Sequence, residues 1–292
     1  MQWLNRAAQA ARQLNYIGTL VYQIGPRVES SRITHLYEDD REYAKLVSLD
    51  GPAREVVRRQ GEVRCYYPDA KLMRIEPGTF RNVFPSLLPE QQQSLSRFYD
   101  FRVVGEDRVG GRPVQVVVFE PKDELRYGHR FWSDAATGLL LKARVQNERG
   151  DGVEQFSFSD LTINARIDRS MVEPSWPTVP SDWQVLESAT GDIVAQDTGW
   201  LVTRVPPGFA KIMEGFRKLR GRRDPIAHLV FSDGLVSISV FVEPNIASTA
   251  PGYMRTGGLN IYRLKQDEHL ITVMGEAPGA TVRQIANSVV HR

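Results

Sequence analysis

From Ile17 to Ile75, and again after residue 100, the chain alternates apolar and polar residues with a period of two, and no other feature narrows its folding options so far. A period of two sends successive side chains to opposite faces of an extended strand, so a chain patterned this way must build sheet. The stretch "YGHRFWSDAATGLLLKARVQNERG" (127–150) illustrates the rule. Leu139, Leu141, Ala143 and Val145 fall on one side, and Lys142, Arg144 and Gln146 fall on the other. Turn-tolerant residues bound it, Ala136-Thr137-Gly138 before and Asn147 to Gly152 after. "IGTLVYQIG", "SRITHLYE", "EYAKLVSLD", "AREVVRRQ" and "EVRCYYPD" read likewise, and "DFRVVGEDRVGGRPVQVVVFEP" adds a hairpin turning at Val109-Gly110-Gly111-Arg112. The sum is about ten strands in one mostly sequential antiparallel sheet, near the size at which open sheets curl or close.

The pattern breaks at "PGTFRNVFPSLLPEQQQSLSRFYD" (77–100), where prolines interrupt the strands and Pro89 to Tyr99 favours one or two short helices. An amphipathic helix opens the chain, with Trp3, Ala7, Ala10, Ala11 and Leu14 on one face. These two segments are the available covers for a curled sheet. Packed closely they complete a core; packed loosely they leave a pocket for an acyl chain.

At 292 residues and 33.0 kDa the chain is expected to form two domains. Composition shifts at "MVEPSWPTVPSDWQ" (171–184), so residues 1–170 form the first expected domain, 171–191 a Pro-rich linker whose aromatics dock on a neighbour, and 192–292 the second. The second domain reads as strands at 199–204, 210–217, 227–232, 235–243, 259–265 and 270–275, with Asp233-Gly234 as a hairpin signal. A helix follows from Pro278 to about Val290.

The charge balance argues against a nucleic-acid binder: 25 basic and 26 acidic residues precede position 190, and 12 basic and 9 acidic follow it. The single cysteine, Cys65, excludes an internal disulfide framework and reads as a buried strand thiol. No apolar run is long enough to span a bilayer, and the opening residues lack a secretory core, so a signal segment is expected to have been trimmed if the protein is exported. Nucleophile-elbow, zincin, P-loop and dinucleotide-binding signatures are all missing from the sequence. His35, His129, His228, His269 and His291 are scattered singly, and His129, Ser133 and Asp134 share one strand and turn, where they cannot form a relay. No catalytic residue, metal site or cofactor is therefore assigned. One charge cluster remains, Arg217, Lys218, Arg220, Arg222 and Arg223 within "FRKLRGRRDP", which reads either as a solvated loop or as a surface for an anionic partner.

Several stretches in order, "VPPGF" (205–209), "FSDGLVSISVFVEP" (231–244), "MRTGG" (254–258) and "ITVMGEAPGATVRQIANSV" (271–289), resemble the C-terminal domain of the RseB/MucB family of periplasmic regulators. "YIGTLVY", "REVVRRQGEVRCYYP", "FYDFRVVGEDRVGGRPVQVV" and "RYGHRFWSDAATGLLLKARVQNERGDGVEQFSFSDL" resemble its N-terminal domain, so the resemblance runs from about residue 3 to 290. It implies an α+β protein: an unclosed antiparallel barrel covered by helices, similar to lipoprotein carriers, and a smaller α+β domain. It also implies a non-enzymatic, periplasmic negative regulator of the envelope stress response. Such a protein binds the periplasmic part of a transmembrane anti-sigma factor of the RseA/MucA type, shields it from proteolysis, and lets go when lipid, lipopolysaccharide or lipoprotein acyl chains signal damage. A lipid or lipoprotein carrier is the competing reading. Self-association stays open. On the implied function, Arg217, Lys218, Arg220, Arg222 and Arg223, with Arg255, are the candidate partner or head-group contacts, and Phe80, Phe84, Leu87, Leu88 and Trp132 the candidate lining or lid of a lipid site.

Overall fold

The alternating region folds into one 12-stranded sheet in a computed structural model that describes residues 2–59, 61–77, 95–187, 194–217, 224–244 and 250–292. Its first meander comprises β1 (Tyr16–Ile24), β2 (Arg27–Glu38), β3 (Arg41–Ser48), β4 (Glu55–Arg59), β5 (Glu62–Tyr67) and β6 (Leu72–Pro77). Its second comprises β7 (Tyr99–Val109), β8 (Arg112–Pro121), β9 (Gly128–Asp134), β10 (Leu140–Gln146) and β11 (Gly152–Ile163). The two are sewn together by antiparallel pairing of β1 with β11, which leaves β6 and β7 far apart in the strand order. The connection between residues 77 and 99 therefore joins opposite ends of the sheet. The β7–β8 end also curls back: a Cβ on Gly110, in the hairpin turn, would stand 3.4 Å from the carbonyl oxygen of Phe158 on β11.

Each face of this sheet has its own cover. Helix α1 (Gln2–Gln13) lays Leu4 against Phe119 and Phe131, while Trp3 stacks on Phe131 and donates its indole N–H to Ser133 Oγ at 2.9 Å. Farther along, Ala10 and Leu14 pack with Tyr16, Leu20, Ile33 and Phe158. The opposite face is strapped by the Pro-rich segment after residue 166. Val172 packs on Leu36 and Tyr43, and Trp176 and Trp183 pack on Tyr66, Val57 and Met73. Ser175 adds an anchor by donating its backbone N–H and hydroxyl to the buried Glu55 carboxylate. The strap ends as β12 (Gln184–Glu187), which pairs with β6 in parallel, so the sheet is not wholly antiparallel. The aromatics of this segment thus dock on a neighbouring element, the first sheet itself.

The stretch 127–150 departs from simple alternation. Leu140 pairs with Ser133 and Lys142 with Trp132, so Leu141 is an extra residue bulged out of register. The bulge shifts the pattern by one position. Leu140 and Ala143 join the cluster under α1, while Leu139 and Leu141 pack with Trp132.

A second sheet of seven antiparallel strands runs β13-β15-β16-β17-β20-β19-β18. Its members are β13 (Val194–Ala195), β15 (Ala210–Arg217), β16 (Ile226–Ser232), β17 (Ser237–Pro244), β18 (Gly252–Thr256), β19 (Leu259–Gln266) and β20 (His269–Gly275). Helix α2 (Gly279–Ala286) buries Val282, Ile285 and Ala286 against Leu229, Val240, Ile271 and Val273. This helix stops earlier than its sequence predicts. Asn287 and Ser288 close its last turn, and β21 (Val289–His291) then pairs with β14 (Trp200–Val202), which suits two β-branched valines better than another helical turn. The whole is mostly β among the described residues, with a 12-stranded sheet, a seven-stranded sheet, the short β14–β21 pair and few helices, so the large open sheet expected of an unclosed barrel is present while the helical share is smaller than the α+β class implies.

Candidate functional site

The chemistry with the highest stakes lies where the two sheets meet. The loop between β8 and β9 (residues 122–127) projects from the first sheet into the second, carrying Arg126, whose side chain is fully buried. Its guanidinium donates Nε to Asp123 at 3.0 Å, one terminal nitrogen to Asp233 Oδ2 at 3.2 Å, and the other to the Pro207 carbonyl at 2.6 Å. Three rings, those of Phe98, Tyr99 and Phe209, lie within 4.7–5.5 Å of it. A buried guanidinium demands this saturation, because an unpaired charge away from water is costly.

Asp233 answers from the second sheet with both oxygens. Oδ1 accepts the backbone N–H groups of Leu235 and Val236 and so shapes the β16–β17 loop, while Oδ2 accepts Arg126 and the Tyr99 hydroxyl at 2.9 Å. Desolvation pushes this carboxyl's pKa upward against those four donors. The same carboxylate thus forms a hairpin and joins the two sheets.

Either side of Arg126 the contact continues. The Leu125 carbonyl accepts the Thr281 hydroxyl at 2.9 Å, tying the loop to α2. Next to it, the Tyr127 hydroxyl accepts from Asn260, a completely buried amide that also donates to the Gly258 and Ala277 carbonyls and accepts from Tyr253. Gly208, at φ +86, lies so close to Phe98 that a Cβ would stand 2.5 Å from the ring. The stretches that resemble the RseB/MucB family converge here: "VPPGF" contributes Pro207 and Gly208, "FSDGL" Asp233, "MRTGG" Gly258, and "RYGHRFW" Arg126 and Tyr127.

The residues singled out from the sequence are placed elsewhere. Phe80, Phe84, Leu87 and Leu88, and likewise Lys218, Arg220, Arg222 and Arg223, lie outside the described residues. Trp132 sits in the packed core, its indole N–H on Asp107 at 2.9 Å and its ring flanked by Arg130 and Lys142. Arg217 ends β15 opposite Ile226, whereas Arg255 is on β18, five strand positions away and, by alternation, on the other face of the sheet. At the usual strand spacing that is a separation of about 24 Å, so these two arginines do not belong to one contact patch. Arg255 instead donates to the Gly257 carbonyl at 3.0 Å. Sequence reasoning missed Arg126 because nothing in "PKDELRYG" distinguishes it from a solvated loop, and it read Asp233-Gly234 only as a turn.

Nothing in the described residues builds a reaction centre. His129 is buried between Tyr99 and Phe131, Ser133 accepts the Trp3 indole, and Asp134 is held by Arg112 and Thr137. Among the described residues no three His, Cys, Asp or Glu side chains gather as a metal site requires, and no helix is long and apolar enough to cross a membrane. Burial pushes His129 and His228 down to about 4. The unfolded chain takes up these protons first, near its ordinary value of 6.5, so stability present above that pH is lost as pH falls toward 4. Denaturation midpoints are expected to fall across that window, and His228→Phe, which keeps the stack on Phe241 without a titrating group, should flatten part of the slope.

Comparison with known proteins covers the chain from end to end. A model of the MucB/RseB N-terminal domain matches residues 1–176, and one of the MucB/RseB C-terminal domain matches residues 194–290. The sigma factor AlgU regulatory protein MucB of Pseudomonas aeruginosa is 34% identical over 305 residues, covering 98% of this chain and 89% of the relative. The sigma-E factor regulatory protein RseB of Escherichia coli K12 is 30% identical over 290 residues, covering 99% and 89%. Among solved structures, the MucA/MucB complex of Pseudomonas aeruginosa superposes with a TM-score of 0.77 at 31% identity, covering 100% of this chain and 98% of that one. A crystal structure of MucB by itself gives 0.69 at 31% identity, covering 100% and 97%.

Proposed function

Because the chain belongs to the MucB/RseB family over both of its sheets, we propose that it is a non-enzymatic negative regulator of an envelope stress response, acting in the periplasm. It binds the periplasmic part of a transmembrane anti-sigma factor, shields that segment from regulated proteolysis, and releases it on a lipid or lipopolysaccharide signal. The observation that carries this reading is the full-length likeness to MucB held on the periplasmic part of MucA, with a TM-score of 0.77 at 32% identity. The better superposition on MucB in its complex, 0.77, than on MucB by itself, 0.69, supports a two-domain body already close to its partner-binding shape.

The lipid arm rests on different support. Ile33, Leu46, Val56 and Cys65 are successive partners across β2 to β5 on the face that α1 covers farther along, and the first three are only half buried. A half-covered aliphatic surface on a curled sheet suits an acyl chain. In this reading the half-barrel spans residues 1–170, a linker 171–191, and the partner-binding domain 192–292. Phe80, Phe84, Leu87 and Leu88 contact the lipid, Trp132 backs the site from the core it shares with Ile33 rather than touching the ligand, and Arg217, Lys218, Arg220, Arg222, Arg223 and Arg255 contact the partner or a head group from more than one side. A ligand of this kind shifts binding only by its differential affinity for the free and partner-bound forms.

The test is direct. The chain is incubated with the periplasmic segment of its anti-sigma factor and the protease that first cuts it, with and without lipopolysaccharide or acylated lipoprotein fragments. Protection that lipid relieves is the expected result. Acyl-chain transfer without any protection would overturn the regulatory reading in favour of a carrier.

A further inference from the structure

The seam has a second contact, chemically unlike the Arg126 anchor. The Gly257-Gly258 turn between β18 and β19 seats against the β1–β11 pair of the first sheet. Gly257 adopts φ +57 and lies so tightly on Ile24 that a Cβ would overlap it. Measured from where a Cβ on Gly258 would be, Glu154 Oε2 of β11 is 3.4 Å away and Glu276 Cγ, just after β20, is 4.0 Å away. One carboxyl from each sheet thus flanks the same glycine.

The groups facing the pair do little to neutralise it. Tyr22 of β1 donates its hydroxyl to Glu154 Oε1, and Glu29 of β2 adds negative potential to that tyrosine. Arg255 of β18 has turned its Nε to the Gly257 carbonyl, and the Tyr127 and Tyr253 hydroxyls are engaged with Asn260. Neither carboxyl forms an ion pair among the described residues, and Glu276, like Glu29, adds negative potential at Tyr22. Two carboxylates so placed, largely out of water, are costly when both are ionised; with one proton between them they are not.

We propose that Glu154 and Glu276 form a proton-operated latch between the two sheets: with one proton retained, the Gly257-Gly258 turn stays seated on β1 and β11, and when that proton leaves to solvent the turn lifts. The Arg126 anchor, whose guanidinium stays charged, then acts as the pivot. Burial, with the Glu154 charge second, pushes Glu276 up to about 7, and burial also raises Glu154. The seated state holds its proton more firmly than the lifted one, so the contact is at full strength below the ordinary value of 4.5 and is lost as pH rises through about 7. This runs opposite to the acid-side loss expected from the buried histidines, which separates the two effects. The inference goes beyond the regulatory reading and does not depend on it.

The test uses the full chain with spin labels at Gln23→Cys and Thr256→Cys, exposed positions on either side of the turn; the native Cys65 is buried and does not label. Pulsed electron resonance from pH 5.5 to 8.5 should show a longer distance growing in with a midpoint between 4.5 and about 7 and levelling off above it, the seated-to-lifted ratio changing by about tenfold or more. Glu276→Gln, neutral throughout, should stay seated at every pH. Glu154→Gln removes the neighbouring charge and should move the midpoint down, which keeps the idea testable if the first variant does not fold. A wild-type distance unchanged across the range overturns the latch, as does Glu276→Gln titrating with the same midpoint as wild type.

Discussion

Arg126→Met is expected to destabilise the chain by about 3–5 kcal/mol, because it strips the counter-charge from Asp233 and leaves a carboxylate sealed between two sheets. Methionine keeps much of the volume and still packs on Phe98, Tyr99 and Phe209, so the loss reports charge rather than a cavity. Adding Asp233→Asn should restore more than half of it. The amide oxygen still accepts from Leu235 and Val236, and no buried charge remains. Equilibrium denaturation followed by tryptophan fluorescence reads both values. The single variant should also split one cooperative transition into two, since Arg126 is the charged group that crosses the seam into the second sheet. A single variant within 1 kcal/mol of wild type would mean that the seam is wet and the anchor idle.

The second large effect is expected at Gly208. Its φ of +86 disfavours any side chain, and a Cβ would meet the Phe98 ring at 2.5 Å, so Gly208→Ala combines backbone strain with forced movement of a ring that covers Arg126. About 2–4 kcal/mol is the expected cost. Gly150→Ala is the matched control: φ there is +79, but nothing lies within 4 Å of the added carbon. It should cost only about 1 kcal/mol of strain. Equal losses at the two glycines would show that Phe98 yields freely and that the seam does not depend on close packing.

Much of the fold was legible because strand formation is written locally. The hairpin at Gly110-Gly111 forms where expected, both glycines at positive φ, and β15 spans Ala210–Arg217, the limits its alternation marked. Boundaries failed where a longer-range demand intervened. The bulge at Leu141 cannot be read from Leu139/Leu141/Ala143/Val145, since only pairing with β9 reveals which residue is extra. The helix after Pro278 ends at Ala286 because β14, far earlier in the chain, offers Val289 and Val290 an edge. The edge strand β18, exposed at every position, carries no alternation of burial and went unread.

The site was less legible than the fold. Charge clusters in the sequence drew attention to arginines beyond 216 and to Arg255, yet Arg217 and Arg255 end on opposite faces of the second sheet. Arg126 and Glu276 look like ordinary surface residues in the chain; each becomes consequential only when a second sheet removes its water.

Taken alone, the sequence determined the β character of this protein, the order of its strands and, through the ordered stretches from "YIGTLVY" to "ITVMGEAPG", its family, because period, turn chemistry and family resemblance are properties of neighbouring residues. Only the tertiary structure decided which charges matter. Burial is conferred by segments distant in the chain: Asp233 lies 107 positions from Arg126, and Glu154 and Glu276, from different sheets, flank the same Gly258. The cost of a charge is set by the water it loses on docking, and no local pattern records that loss.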